Sequence, residues 1–74
     1  MRLKRYRLEG REFIGRYQVT KTSFLYSLDF LEESLGVKSE GLPIADYVTV
    51  KGRQHRMVTS STAKQFVISQ IGKY

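Results

Sequence analysis

The sequence predicts a small α+β domain with two main helices and a β-hairpin. Three observations carry that reading. Phe24, Leu28, Leu31 and Leu35 recur at helical spacing and stop at Gly36. Ala63, Phe66, Val67 and Ile71 do the same ahead of Gly72. Between the two patterns lies a β-favouring stretch, Tyr47–Thr59, interrupted by Gly52. The 74 residues leave room for one domain and one modest core, to which five Tyr and four Phe bring bulk. There is no cysteine, so disulfides and thiolate metal sites are excluded and stability must come from packing.

Taken in order, the first twenty residues allow two readings. One is a hairpin: Leu3–Leu8, a turn at Glu9-Gly10, then Arg11–Val19. The other is a short helix from about Glu9 to Tyr17 and a tight turn at Gln18-Val19-Thr20, which lets Phe13, Ile14 and Tyr17 share a face. Gly10 and Gly15 count against the helix, at about 1 kcal/mol each relative to Ala. The helix is the reading preferred, with residues 9–19 left open to either.

The first main helix is predicted from about Lys21 to Leu35, with Thr20 as its N-cap and Gly36 as its stop. Tyr26 and Phe30 lie off its apolar stripe, four residues apart, and suit a partner or a homodimer. Val37–Pro43 is a connecting loop. Tyr47–Val50 and Gln54–Thr59 read as strands joined through Lys51-Gly52-Arg53. The second main helix is expected from about Thr62 to Ile71, capped by Ser60 or Ser61 and ended by Gly72. Under the hairpin reading an internal echo emerges: Leu8-Glu9-Gly10-Arg11 parallels Val50-Lys51-Gly52-Arg53, and Val19-Thr20 parallels Val58-Thr59. A ββα–ββα duplication is therefore the alternative architecture.

Charge is distributed unevenly. Met1–Lys21 holds seven Lys/Arg against two carboxylates; Thr22–Asp46 holds one Lys against five carboxylates; Tyr47–Tyr74 holds five Lys/Arg and no acid. The net charge is +6. If folding joins the two basic ends, they form one positive face and leave the acidic middle elsewhere, an arrangement suited to a polyanion.

The run Gly15-Arg16-Tyr17-Gln18-Val19-Thr20-Lys21-Thr22-Ser23-Phe24-Leu25-Tyr26-Ser27-Leu28 resembles the turn and recognition helix of a helix-turn-helix. Val19 stands where an aliphatic residue plugs the turn, and Thr20 where a Ser or Thr caps the second helix. The order of elements over roughly Glu9 to Ile71 is similar to the winged helix-turn-helix domains of excisionases and MerR-type regulators. That resemblance implies sequence-specific binding of double-stranded DNA. It places Arg16, Lys21, Thr22, Ser23 and Ser27 at the groove, and Lys51, Gly52, Arg53, His55 and Arg56 in a basic wing. Arg2, Lys4, Arg5 and Arg7 would form a basic arm against phosphates.

The same residues disfavour catalysis. One His and no Cys remove most nucleophile–base pairings, and Glu32 and Glu33, adjacent on a helix, splay ~100° apart. No phosphate-loop or metalloprotease pattern is present. A small regulator or recombination accessory factor acting by contact alone is the expected function, without cofactor, metal or small-molecule substrate. Two rivals stand: a protein-interaction module or inhibitor from a mobile element, using the acidic middle and the Tyr26/Phe30 face, and an RNA binder stacking bases on its Tyr-rich basic ends. Met1–Leu8 is followed by Glu9, Gly10 and Arg11 rather than an apolar run, and no stretch approaches the ~20 apolar residues of a membrane span. A cytoplasmic, membrane-free location is expected.

Overall fold

Two hairpins frame the molecule, and both turn in the same way. The computed structural model describes residues 3–72. The first hairpin joins β1 (Lys4–Leu8) to β2 (Arg11–Gln18); the second joins β4 (Asp46–Val50) to β5 (Arg53–Val58). Each has two turn residues with positive φ, 52° and 75° at Glu9 and Gly10, 51° and 81° at Lys51 and Gly52. Positive φ at both central positions marks the primed turn, whose twist matches that of the strands it joins. Glycine supplies the second position in each, and Glu9 and Lys51 tolerate the first.

The remaining elements are β3 (Phe24–Ser27), α1 (Leu28–Leu35) and α2 (Ser60–Ile71). The strands form one five-stranded antiparallel sheet in the order β1-β2-β3-β5-β4. Because β2 and β5 both run antiparallel to β3, the two hairpin tips project past the C-terminal end of β3. There α1 begins without a break and contacts β2 and β5, the two strands that flank β3. Register assigns the faces, since residues directly opposite each other share one. Tyr26 faces the same way as its partner Val58, whereas Ser27, Met57, His55 and Val48 point the other way.

Tyr6, Phe13, Tyr26 and Val58 from the sheet pack with Leu28 and Leu31 of α1 and with Ala63, Phe66 and Val67 of α2. The Tyr6 ring lies 5.7 Å from that of Phe13 and meets that of Tyr26 edge-on at 4.8 Å. Among the described residues the buried Tyr6 hydroxyl has no hydrogen-bond partner, and its pKa is pushed far up by burial and by Tyr26. A buried hydroxyl that has lost water without gaining a partner is unfavourable. Tyr6→Phe is therefore expected to raise stability by about 1 kcal/mol, read as a higher urea midpoint at unchanged slope; a lower midpoint would show that the hydroxyl has a partner.

The α+β class and the second half of the chain follow the sequence reading closely. The 47–59 hairpin and the final helix are present, with Thr59 rather than Ser60 or Ser61 as its cap, accepting from the Thr62 N–H. The first half differs. Residues 11–18 form a strand, so the hairpin reading holds over the preferred helix. The helix expected from Lys21 starts only at Leu28, and its cap is Ser27, whose Oγ accepts the Phe30 N–H at 3.2 Å. Thr20 does accept the Ser23 N–H in the manner of a cap, at 3.1 Å, but the Val19 N–H closes onto the Ser23 carbonyl at 2.9 Å. That loop turns the chain back, and Phe24, Leu25 and Tyr26 pair with Gln18, Tyr17 and Arg16. Val19, expected to plug a helical turn, is 51% exposed. The segment resembling a turn and recognition helix is thus strand, loop and strand. A five-stranded sheet fits a two-helix winged domain poorly, and the element order β-β-β-α-β-β-α lies nearer the duplication alternative. Among the described residues no helix is long and apolar enough to cross a membrane.

Candidate nucleic-acid interface

Antiparallel pairing brings the N-terminal cations into two groups. On the face of the β1–β2 hairpin opposite Tyr6 and Phe13, Arg5 pairs with Ile14 and Arg7 with Glu12. Arg5 and Arg7 are exposed there, beside Ile14 at 49% exposure. Arg5 meets Glu12 at 3.6 Å in a pair open to solvent, where such contacts contribute little. At the other end of the hairpin Lys4 is opposite Arg16, and both line a shallow recess of ≈ 180 Å³ with Tyr17, Gln18 and Phe24. The Arg16 guanidinium lies over the Phe24 ring, 4.5 Å from its centroid, which holds it in place and leaves its charge unneutralised. Lys21, Thr22 and Ser23 are exposed in the loop that leaves the same end. Among the described residues Lys4, Arg7, Arg11, Arg16 and Lys21 have no carboxylate within ion-pair distance.

The second hairpin is arranged otherwise. Lys51 and Gly52 are exposed at its tip. Arg53 is held by Glu33 at 3.3 Å and reaches over the Phe30 ring, 5.2 Å from its centroid. Arg56 meets Asp29 at 2.9 Å and Glu32 at 2.6 Å. Its own pKa is raised by these carboxylates, first by the Asp29 hydrogen bond. The acidic middle of the chain therefore engages Arg53 and Arg56 of the wing but not Lys51 at its tip, and the expected single positive face does not form. Instead α1, bearing Asp29, Glu32 and Glu33, stands between the two basic hairpins.

Several site residues proposed from sequence lie elsewhere. Ser27 is 0% and His55 2% exposed, which removes both from a surface. The Ser27 hydroxyl sits 3.0 Å from His55 Nδ1 while capping α1, and the Phe30 ring lies 4.7 Å from the imidazole. This enclosed pair joins β5 to the start of α1. Tyr26 is 9% exposed in the core and Phe30 is half-buried, so the self-association face expected from them does not exist. Lys4, Arg5 and Arg7 belong to an ordered strand rather than an arm, and Arg2 lies outside the described residues.

Two contributors were missed. Arg11 is exposed at the start of β2, and the parallel between Gly10-Arg11 and Gly52-Arg53 was the signal for it. Phe24 supports Arg16, which only the β2–β3 pairing discloses. Comparison of the chain with models of protein families, with curated proteins and with solved structures finds no match.

Proposed function

We propose that the protein binds double-stranded DNA through the β1–β2 hairpin and the loop at residues 19–23, as a small regulator or accessory factor acting by contact. One observation carries this reading: among the described residues Lys4, Arg7, Arg11 and Arg16 of that hairpin have no carboxylate within ion-pair distance and Arg5 has only a solvent-open contact with Glu12, whereas Arg53 and Arg56 of the second hairpin are engaged by α1. A two-stranded ribbon fits the major groove as a helix does, so the reading does not depend on a recognition helix. Arg5 and Arg7 on the outward face would meet base edges or phosphates. Lys4, Arg16 and Lys21 at the open end would track the backbone.

The test compares two variants of equal net charge. Lys4→Ala/Arg7→Ala/Lys21→Ala removes three exposed cations from the proposed surface; Lys38→Ala/Lys51→Ala/Lys64→Ala removes three exposed cations from elsewhere. For random duplex DNA titrated at several salt concentrations, the first variant is expected to lower the log–log salt slope by about 2.7, at ~0.9 per phosphate contact. The second should leave it close to the parent. Equal losses in both would reduce the interaction to bulk charge, and stronger competition by single-stranded RNA than by duplex would transfer the reading to RNA.

A further inference from the structure

The two edges of the sheet are finished differently. β1 carries Lys4, Arg5 and Arg7 within five residues, and its register with β2 slips between Lys4 and Arg5. Charged side chains and a bulge are the usual devices by which an edge strand avoids pairing with another chain. β4 has neither. Its sequence is Asp46-Tyr47-Val48-Thr49-Val50, without Lys, Arg or Pro, and its five residues pair with β5 in continuous register. Among the described residues nothing pairs with its outer side. Tyr47 is 55% exposed, and Thr49 is exposed on the same face of the strand.

We propose that this edge binds a second copy of the chain, β4 against β4 in antiparallel register about Val48, to give one continuous sheet across a two-fold dimer. Charge identifies the occupant. Asp46 opens the strand and Lys51 follows it, and among the described residues neither has an ion-pair partner in the monomer. Antiparallel pairing of two copies lays the acidic end of each along the basic end of the other, and the arrangement is self-complementary as a two-fold interface requires. In that register Tyr47 is opposite Thr49 of the partner subunit, an aromatic–β-branched pair favourable across strands. The main-chain N–H and C=O groups of the edge supply the remaining bonds, the Tyr47 N–H exchanging Asp46 Oδ1, which it reaches at 2.8 Å in the monomer, for the partner strand. This inference does not depend on DNA binding.

Sedimentation across a concentration series tests it. The parent chain is expected to dimerise in the absence of DNA, with hydrogen-exchange protection of residues 46–50 rising with protein concentration. Tyr47→Lys/Thr49→Lys sets two lysine pairs face to face and should weaken the dimer at least about tenfold; position 47 is also opposite Arg56 within the monomer, a cost to the thermal transition that the next variant shares. Tyr47→Lys/Thr49→Glu opposes unlike charges in this register alone and should restore it. A parent that stays monomeric up to about 1 mM, roughly the weakest association such an interface could show, would overturn the proposal. A parent dimer unaffected by the paired lysines would do the same, and so would concentration-independent protection of residues 46–50.

Discussion

Gly15→Ala is expected to lower the stability of the domain by about 3 kcal/mol, enough to leave much of the population unfolded on mild heating. Two effects add at this position. Gly15 adopts φ = 125°, a conformation that side-chain-bearing residues rarely adopt, and such strain costs about 1–3 kcal/mol. A Cβ there would also lie 2.9 Å from Ser27 Cβ and 3.1 Å from Phe30 Cδ2. Neither neighbour can withdraw, because Ser27 caps α1 and the Phe30 ring is packed against His55. Overpacking of this kind typically adds about 1–3 kcal/mol.

The reason lies in the register. Lys4 is opposite Arg16 and Arg5 is opposite Ile14, so Gly15 is the extra residue that bends β2 and lets α1 close against it. A chain of this length holds only about 4–11 kcal/mol in total, and each kcal/mol shifts the midpoint by about 4–8 °C. A fall of about 12–24 °C in the thermal midpoint is therefore the expected reading by circular dichroism. Gly10→Ala is the control: φ is 75° but no atom lies within 4 Å of the added Cβ, so only the strain remains, about 1 kcal/mol. Equal shifts in the two variants would remove the close approach from the explanation.

Gly15 also illustrates what the sequence could disclose. It reads as a mark against a helix, which is correct, but the close contact it permits depends on Ser27 and Phe30, twelve and fifteen residues away. The second hairpin and the last helix were legible because their signals are local. Gly52 lies between two β-favouring runs, and the apolar stripe from Ala63 to Ile71 is stopped by Gly72, although the cap is Thr59 and not the Ser60 or Ser61 expected. In the first half two residues compete as caps. Thr20 and Ser27 both precede apolar periodic residues, and both do accept amide hydrogen bonds. What separates them is whether the following residues find a strand to pair with, and Phe24–Tyr26 find β2. Phe24 packs against the core from β3, so its four-residue spacing from Leu28 marked burial and not helix.

The candidate site divides in the same manner. Exposure of Lys4, Arg5, Arg7 and Lys21 follows from a charged residue's preference for water, which needs no partner. The fate of Arg53 and Arg56 depends on carboxylates twenty or more residues earlier in the chain, which only the return of β5 alongside α1 brings into reach.

Those carboxylates lead to the second large effect: Arg56→Ala is expected to cost about 1–2 kcal/mol at pH 7, less than a fully buried pair because the guanidinium is 37% exposed, and to change how stability responds to acid. The Arg56 N–H donates to Asp29 Oδ2 at 2.8 Å, and its guanidinium donates to Asp29 Oδ1 from Nε at 3.1 Å and from Nη2 at 2.9 Å. Nη2 also reaches Glu32 Oε1 at 2.6 Å, while Glu32 Oε2 accepts the Ser39 N–H and hydroxyl at 2.7 and 2.6 Å. One arginine thus fastens β5 to α1, and through Glu32 to the loop that follows the helix.

Burial alone would raise the pKa of both carboxyls. It is outweighed at Asp29 by hydrogen bonds and charge from Arg56, and at Glu32 by hydrogen bonds from Ser39 and then Arg56, so both lie below their ordinary values of 3.8 and 4.5. The folded state therefore holds fewer protons than the unfolded chain. The stabilisation is fully present above the ordinary carboxylate range and is lost as pH falls through the depressed folded values. The parent should lose stability steadily below about pH 4.5. With the Arg56 side chain removed, Asp29 keeps the residue-56 backbone N–H and the charge of Arg53, and Glu32 keeps both Ser39 hydrogen bonds, so both carboxyls move up towards their ordinary values as the guanidinium's share is lost. The variant should then lose less stability than the parent as pH falls from 7 towards 4 and below. Denaturant midpoints measured across that range decide the matter: parallel pH curves for parent and variant would mean that the ion network contributes no proton linkage.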